Sequence, residues 1–477
     1  EINSFKKMAN PFQEIRNKQQ FYFENTLRKS ALFERKQKLK KVKKWIRANE
    51  SHIIKALYDD FKKSPEEVRI AEIKPVISEI NDALKNLRDW AAPERVKTPF
   101  YLLGSKSHII SQPKGLNLII APWNFPFNLT IAPMVSAIAA GNCAVLKPSE
   151  LTPNCEQVIV RMIAELFPSE EITVITGGVE ETTQLLELKW DHIFFTGSPP
   201  VGKTVMKAAS NHLTPVTLEL GGKNPVIVDK TANLKDAAQK LIWGKLINNG
   251  QSCVSPNYVL VHTKIKAKLI VELEKAFTNM YGETKEEIES NNALTRVVNK
   301  RHFKRITALI DNSIKQGANV IIGNNTNSEN NYISPTILDN ITTNSAVFKD
   351  EIFGPVLPLM EFQSIDEALS IINKEEAPLA LYIFSSSKKN TTKIINNTSA
   401  GTTAINETTI QFIHGNLPFG GNGHSGIGRA HGKYGFNAFS NERAILKQRR
   451  GFTTIKLIYP PTNKFKRFIV RFMTWRM

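Results

Sequence analysis

The chain has 477 residues and a formal net charge of +19, with 41% hydrophobic and 22% charged residues. That length exceeds what one simple core organises, so two or three domains of an ordinary soluble globular protein are expected. Three cysteines (Cys143, Cys155, Cys253) are too few for a disulfide framework and point to a reducing, cytoplasmic setting, while the histidines show no metal spacing and no Cys-x-x-Cys occurs, so no metal site is expected.

No apolar run reaches the length of a membrane span, and no signal peptide is read at the N-terminus, although the chain begins at Glu1 rather than Met. The positive charge is compatible with nucleic acid, an anionic membrane, or the lysine bias of an AT-rich genome. Residues 1–90 read as helices, with Leu39, Val42, Trp45 and Ile46 at helical spacing. Lys36, Lys38, Lys40, Lys41, Lys43 and Lys44, between Arg28 and Arg47, are expected to form a solvated helix face. Pro93 and Pro99 break this region, and residues 100–112 are expected to form a short hairpin.

From residue 114 the pattern changes. Strands at 116–120, 144–146, 173–176 and 192–195 alternate with helices at 129–140, 154–166, 180–186 and 201–209. This repetition predicts a parallel sheet covered by helices, with ligands beyond the C-terminal strand ends. A second α/β region is expected from about 222 to 414, with strands at 225–228, 258–261 and 381–384, and the asparagine-rich stretch 323–331 is expected to be an exposed loop.

Several segments at these strand ends suit parts of one reaction. In Asn248-Asn249-Gly250-Gln251-Ser252-Cys253 a thiol follows a glycine turn, and in Leu218-Glu219-Leu220-Gly221-Gly222-Lys223 a carboxylate precedes one. Together they suggest a nucleophile and a base, although most cysteines are small buried hydrophobes. Ala121-Pro122-Trp123-Asn124-Phe125-Pro126-Phe127 sets one amide among prolines and aromatics, a rigid apolar mouth in which Asn124 either donates to an oxyanion or caps a helix. Gly197-Ser198-Pro199-Pro200-Val201-Gly202 joins a strand to a helix whose N-terminus favours a pyrophosphate; the same residues suit an ordinary βα loop. Lys147 and Glu150 fit ribose hydroxyls or a surface ion pair. Glu351 fits a second ribose, and Phe353 a flat heterocycle. The run from Pro418 to Gly426 is too glycine-rich for regular structure; its His424 reads as structural, and Cys143 and Cys155 as inert.

Taken together, these motifs make the chain resemble the aldehyde dehydrogenase superfamily from about residue 20 to 460. Residues 212–219, 417–421, 431–436 and 459–461 make it similar to the class 3, fatty-aldehyde branch. The resemblance implies an α/β aldehyde dehydrogenase-like fold: two Rossmann-like parallel-sheet domains plus a small β oligomerisation arm. The expected division is an NAD-binding domain (1–98 and 114–221), a catalytic domain (222–416), an arm and bridging segment (99–113 and 417–446), and a basic tail (447–477). It implies that Cys253 attacks an aldehyde, that Asn124 and the Cys253 amide hold the oxyanion, and that Glu219 activates the water that hydrolyses the thioester. Lys147, Glu150, Gly197, Ser198, Pro199, Pro200, Val201, Gly202, Glu351 and Phe353 would hold the cofactor, NAD by preference with NADP as the alternative. A homodimer is expected, and nucleic acid is not. Ser252 stands where threonine is common, and Asn422 and His424 depart from the usual glycine run. A CoA-acylating enzyme and a non-catalytic basic scaffold are the other readings; Glu219 argues against the first, and intact Cys253, Glu219 and Asn124 against the second.

From Lys447 onward there are nine basic residues and no acidic one: Lys447, Arg449, Arg450, Lys456, Lys464, Lys466, Arg467, Arg471 and Arg476. Phe465, Phe468, Ile469, Phe472 and Trp475 fit one helix face, with Lys464, Arg467 and Arg471 beside it. This reads as an interfacial helix for the cytoplasmic face of an anionic membrane, or as a helix docked on a dimer partner.

Overall fold

A computed structural model of the protein describes residues 10–461 and 463–475; Arg476 of the basic tail lies outside them. The N-terminal part folds as helices, including Gln13–Asn25, Leu32–Ala48, Glu50–Phe61 and Lys74–Trp90. In Leu32–Ala48, Glu34 reaches back to the Ala31 amide and secures the first turn. Leu39, Val42, Trp45 and Ile46 then fall on one buried stripe. The basic residues around this helix are used unequally. Lys40, Lys41, Lys44 and Arg47 are exposed, but Lys38 is paired with the buried Glu171. Arg35 donates to the last carbonyls, Ala139 and Ala140, of the helix Pro126–Ala140, where a cation complements the helix dipole.

A six-stranded sheet runs Gly426–Ile427, Val216–Glu219, His192–Thr196, Leu116–Ile120, Cys143–Lys147, Ile172–Val174 in spatial order. All neighbours are parallel except the two-residue edge strand. The chain order reverses between Leu116–Ile120 and His192–Thr196, which opens a ligand crevice beyond those strand ends. The Asn124, Lys147, Gly197 and Glu219 segments all leave this edge. A seven-stranded sheet follows, in the order Asn319–Ile322, Thr336–Asp339, Val356–Phe362, Tyr258–His262, Pro225–Val228, Ala380–Phe384, Thr402–Ile405. Its central strands are buried and rich in Val, Ile and Leu, as strands covered on both faces require.

Three expectations need correction. Residues 100–112 do not fold back on themselves: Phe100–Leu102 is a tight turn after Pro99, and Ser105–Pro113 pairs instead with Glu94–Val96 and over nine positions with Ser440–Gln448. The pairing partner lies more than 300 residues away, beyond any local pattern. The stretch 323–331 is not wholly loop, since Thr326–Asn327 pairs with Tyr332–Ile333. Within the glycine run, Gly426–Ile427 is regular and pairs with Glu219 and Leu218.

Candidate active site

Cys253 follows a left-handed turn. Asn248 and Asn249 adopt φ of 51° and Gly250 a φ of 75°, a conformation that asparagine and glycine tolerate best. A Cβ on Gly250 would lie 2.1 Å from the Gly354 carbonyl oxygen, so only glycine lets the loop carrying Glu351 and Phe353 close on this turn. The backbone around Cys253 is pinned from several sides. Asn224 Nδ2 donates to the Cys253 and Ser255 carbonyls (2.7 and 2.9 Å), and the Tyr382 hydroxyl donates to the Val254 carbonyl (2.5 Å).

The Cys253 side chain is half-buried. Burial, then the Glu351 and Glu219 charges, pushes its pKa up to about 12, while the backbone amides of Cys253 and Val254 aim at the sulfur and pull the other way. Those amides offer donors to negative charge at this point. The other two cysteines are buried, and burial raises both thiols further from reactivity.

Asn124 does not cap the helix that follows it. Pro126 opens that helix, Phe125 occupies the cap position without a side-chain bond, and the Asn124 amide nitrogen donates across the molecule to the Gln251 carbonyl (3.1 Å). One amide of the sequence motif therefore lies against the cysteine loop. The aromatics beside it divide. Trp123 packs on His302 (5.0 Å) and Phe353 (5.4 Å) and remains at the mouth, whereas Phe127 is fully buried in the core, against the expectation that all three aromatics line the mouth.

Glu219 ends its strand, 6% exposed, and neither carboxylate oxygen has a hydrogen-bond partner among the described residues. Burial raises its pKa well above the ordinary value, opposed by Arg429. A buried, unpartnered carboxylate is costly, and such groups gather where chemistry needs a base. Arg429 itself is held by the Gly421 and Gly428 carbonyls.

The remaining predicted residues lie along the crevice. Ser198 is the N-cap of the helix Pro199–Ser210, yet its side chain makes no capping bond, leaving the first-turn donors open. Pro200 and Val201 are exposed at this end, while Gly202 faces the sheet: a Cβ there would meet Leu220 at 2.7 Å. Lys147 is buried and donates to the adjacent Pro148 carbonyl (2.6 Å), with further donor capacity. Glu150 is exposed near Gly178. Glu351 turns toward the Gly222 amide, and burial raises it to about 7. A Cβ on Gly221 would sit 2.4 Å from its carboxylate. Phe353 holds a φ of 48°, strained for an aromatic residue and of the kind that clusters at ligand sites. Open amides at a helix N-terminus, a buried lysine with spare donors and an exposed carboxylate fit a dinucleotide. Among the described residues no group of His, Cys, Asp and Glu could hold a metal ion.

The sequence reading missed Asn224, Asn248, Gln251, Lys63, Glu67 and Glu72, all of which brace this site. Asn248 and Gln251 stood in the quoted motif; the left-handed conformation that asparagine favours was the available signal. Nothing local marks Lys63 as buried.

The two mainly parallel sheets bring a thiol, a carboxylate and an amide together near their junction, beside a crevice whose helix N-terminus suits a dinucleotide. The profile of the aldehyde dehydrogenase family matches residues 13–445, and the chain belongs to that family of NAD(P)-dependent oxidoreductases. It is 44% identical to 4,4'-diaponeurosporen-aldehyde dehydrogenase of Staphylococcus aureus over 94% of this chain and 97% of that protein. It is 41% identical to human aldehyde dehydrogenase family 3 member B1 over 88% of each chain. A solved structure of the substrate-bound state of Staphylococcus aureus AldH superposes with a TM-score of 0.93 at 42% identity, covering 98% of this chain and 100% of that one. An NAD+ complex of a Bacillus cereus aldehyde dehydrogenase superposes with a TM-score of 0.83 at 25% identity, over 91% and 88%. The fold and the aldehyde dehydrogenase activity expected from the sequence are borne out.

Proposed function

We propose that this enzyme oxidises hydrophobic, medium- to long-chain aldehydes to carboxylic acids, with Cys253 as nucleophile, Asn124 and the Cys253 amide as oxyanion donors, and Glu219 as the base. The convergence of the Asn124 amide and the Cys253 loop on one point, under a buried unpartnered carboxylate, carries the reading. The Cys253 thiolate adds to the aldehyde carbon, and the new oxyanion is met by amide donors already in place. The bound nicotinamide dinucleotide supplies the hydride acceptor and, in its oxidised form, a positive charge near the thiol. Loss of hydride leaves a thioester on Cys253; Glu219 takes a proton from water, which attacks the thioester carbon, and the thiolate departs. The donors of Lys147 and the amides after Ser198 would hold the ribose and pyrophosphate, with Glu351 and Phe353 at the nicotinamide end. Glu150, if it meets the adenine ribose, would disfavour a 2′-phosphate by repulsion, which favours NAD over NADP.

Relatives named 4,4'-diaponeurosporen-aldehyde dehydrogenase and aldehyde dehydrogenase family 3 member A2 support this reading. Across a series of linear aldehydes from two to sixteen carbons, kcat/KM is expected to rise with length. Each buried methylene contributes about 0.8 kcal/mol, or roughly fourfold, until the site is filled. A flat or falling profile overturns the hydrophobic assignment.

We assign the dinucleotide to the 1–98 and 114–221 domain, catalysis to 222–416, and dimer formation to 99–113 and 417–446. Among the described residues Ser440–Gln448 has one unpaired edge, and Thr402–Ile405 forms an outer edge of the larger sheet; such edges favour pairing between copies. The tail helix Lys464–Trp475 exposes Phe465, Phe468, Phe472 and Trp475. The turn Thr454–Ile458 packs on Phe100–Leu102 through a hydrogen bond from the Thr454 hydroxyl to the Tyr101 carbonyl, which brings exposed Phe100, Leu103, Leu457, Ile458 and Tyr459 to the same end. Among the described residues no helix is long and apolar enough to cross a membrane, so this surface would lie on an anionic bilayer, each basic residue contributing about 1 kcal/mol. The full chain is expected to sediment with anionic liposomes at low salt, and a chain ending at Gly451 to remain in solution while still a dimer by light scattering. Equal binding by both chains would refute the membrane role, and a monomeric truncated chain would move the tail to the dimer interface.

A further inference from the structure

The N-terminal helical layer carries charges that simple cladding does not need. Lys63 and Glu72 are both fully buried and paired at 2.7 Å. Such a pair is a weak stabiliser, because desolvating two ions offsets their attraction; what it provides is fixed geometry. The Lys63 ammonium also donates to the backbone carbonyl of Asn124 (3.0 Å) and lies over the rings of Phe61 and Phe125 (4.7 and 4.4 Å). The other oxygen of Glu72 accepts the Asn128 amide (2.9 Å), in the first turn of the helix that Asn124 precedes. Asn128 Nδ2 donates to the Ala71 carbonyl (3.1 Å).

The same short segment reaches the cysteine loop. Glu67 accepts the Asn248 amide (2.6 Å) and the Thr295 hydroxyl (3.1 Å). Asn248 closes the circuit, its side chain donating to the carbonyls of Asn124 (2.8 Å) and Gln251 (3.0 Å), the second of which also accepts from Asn124 Nδ2. Residues Val68–Ile73, which begin directly after Glu67 and include Glu72, form a π-helix, a rare geometry that recurs at functional sites.

We infer that Lys63, Glu67 and Glu72 are positioning residues for the reaction: a buried charged strut that holds Asn124 and the Cys253 loop in register, so that the oxyanion site is formed before the substrate arrives. This rests on the reading of Asn124 as oxyanion donor and Cys253 as nucleophile. The strut reaches Asn124 at its backbone carbonyl and acts through the placement of that residue.

Two reactions of Cys253 in the cofactor-free enzyme separate positioning from mere stability. Acylation by p-nitrophenyl acetate adds the thiolate to a carbonyl, forms an oxyanion and expels p-nitrophenolate with its electron pair. Alkylation by iodoacetamide displaces iodide and forms no oxyanion. Asn124→Ala is expected to slow acylation by about 10²–10³-fold. Lys63→Met/Glu72→Leu, which removes both members of the buried pair and leaves Glu67 to its hydrogen bonds from Asn248 and Thr295, is expected to slow acylation by up to about 10²-fold with alkylation unchanged. Adding Asn124→Ala to that pair should produce no further loss beyond Asn124→Ala alone. Lys63→Arg, which keeps the charge but widens the head group, gives the same split if the double variant fails to fold. Equal losses in acylation and alkylation, or losses that multiply in the triple variant, make the strut structural only and overturn the inference. Unchanged acylation in Asn124→Ala would instead overturn the oxyanion reading beneath it.

Discussion

Cys253→Ala is expected to remove aldehyde-dependent NAD(P)H formation, with kcat lowered by at least about 10⁴-fold, the scale on which loss of a covalent nucleophile acts. The fold should survive. The sulfur is half-buried, and the loop is held through backbone carbonyls by Asn224 and Tyr382 rather than through the thiol. Cofactor binding, followed by quenching of protein fluorescence, should be unchanged, because the Lys147 and Ser198 segments leave other strands. Cys143→Ala and Cys155→Ala serve as controls and should remain active, since both thiols are buried away from the crevice. With the Cys253 thiol pushed up to about 12, little thiolate exists at neutral pH in the cofactor-free enzyme. Iodoacetamide should therefore react slowly, faster as pH rises, and faster again once the positively charged nicotinamide is bound. Retained turnover in Cys253→Ala would end the covalent mechanism.

Glu219→Gln should separate the two halves of the reaction. The amide matches the carboxylate in size but cannot accept a proton, so hydrolysis of the thioester loses its general base and kcat falls by about 10²–10⁴-fold. Formation of the thioester does not use this group, so rapid mixing should still reveal one equivalent of NAD(P)H per active site. Absence of that burst would mean that Glu219 acts before hydride leaves. The pH dependence follows from the direction of its shift. Burial raises the pKa of Glu219 well above the ordinary glutamate value, so the folded protein holds this proton through the acid range and the base form grows as pH increases. The steady-state rate of the wild type should rise with pH through that ionisation, and the Gln variant should lose the dependence. Stability runs the opposite way. A raised carboxylate pKa stabilises the fold below the unfolded value, and that contribution is lost as pH climbs toward the folded value. Glu219→Gln should therefore melt above the wild type at neutral pH and converge with it in acid, as expected of a group held in place for chemistry rather than for stability.

How much of this was legible in the sequence depended on whether the information was local. The alternation of strands and helices from Leu116 to Ser210 follows from apolar runs punctuated by glycine and proline, and the strands Leu116–Ile120, His192–Thr196 and Pro225–Val228 fall within a residue of their expected bounds. Asn124, Lys147, Gly197, Glu219 and Cys253 stood out because each sits in a short segment of unusual composition at a strand end or tight turn. Pairings between distant segments were not readable. Ser105–Pro113 is extended, yet nothing near it names Ser440–Gln448 as its partner. The bracing of the site was equally hidden. Lys63 lies in a polar run and looks solvated, and only the folded chain brings Glu72, Asn124 and two aromatic rings around it. The capping role considered for Asn124 failed for a related reason: Pro126 already starts the helix without a side-chain cap, which frees the amide for a partner 127 residues away.

The close approach of Gly250 to the Gly354 carbonyl has a bearing on how the enzyme could diverge. The loop that presents the thiol and the loop that meets the nicotinamide end fit as key and lock, so neither drifts in sequence without disturbing the other. Changes in substrate range must then arise at positions outside these two loops, such as Trp123 and His302 at the mouth. An experimenter seeking new substrates would diversify those positions and hold residues 248–253 and 351–355 constant.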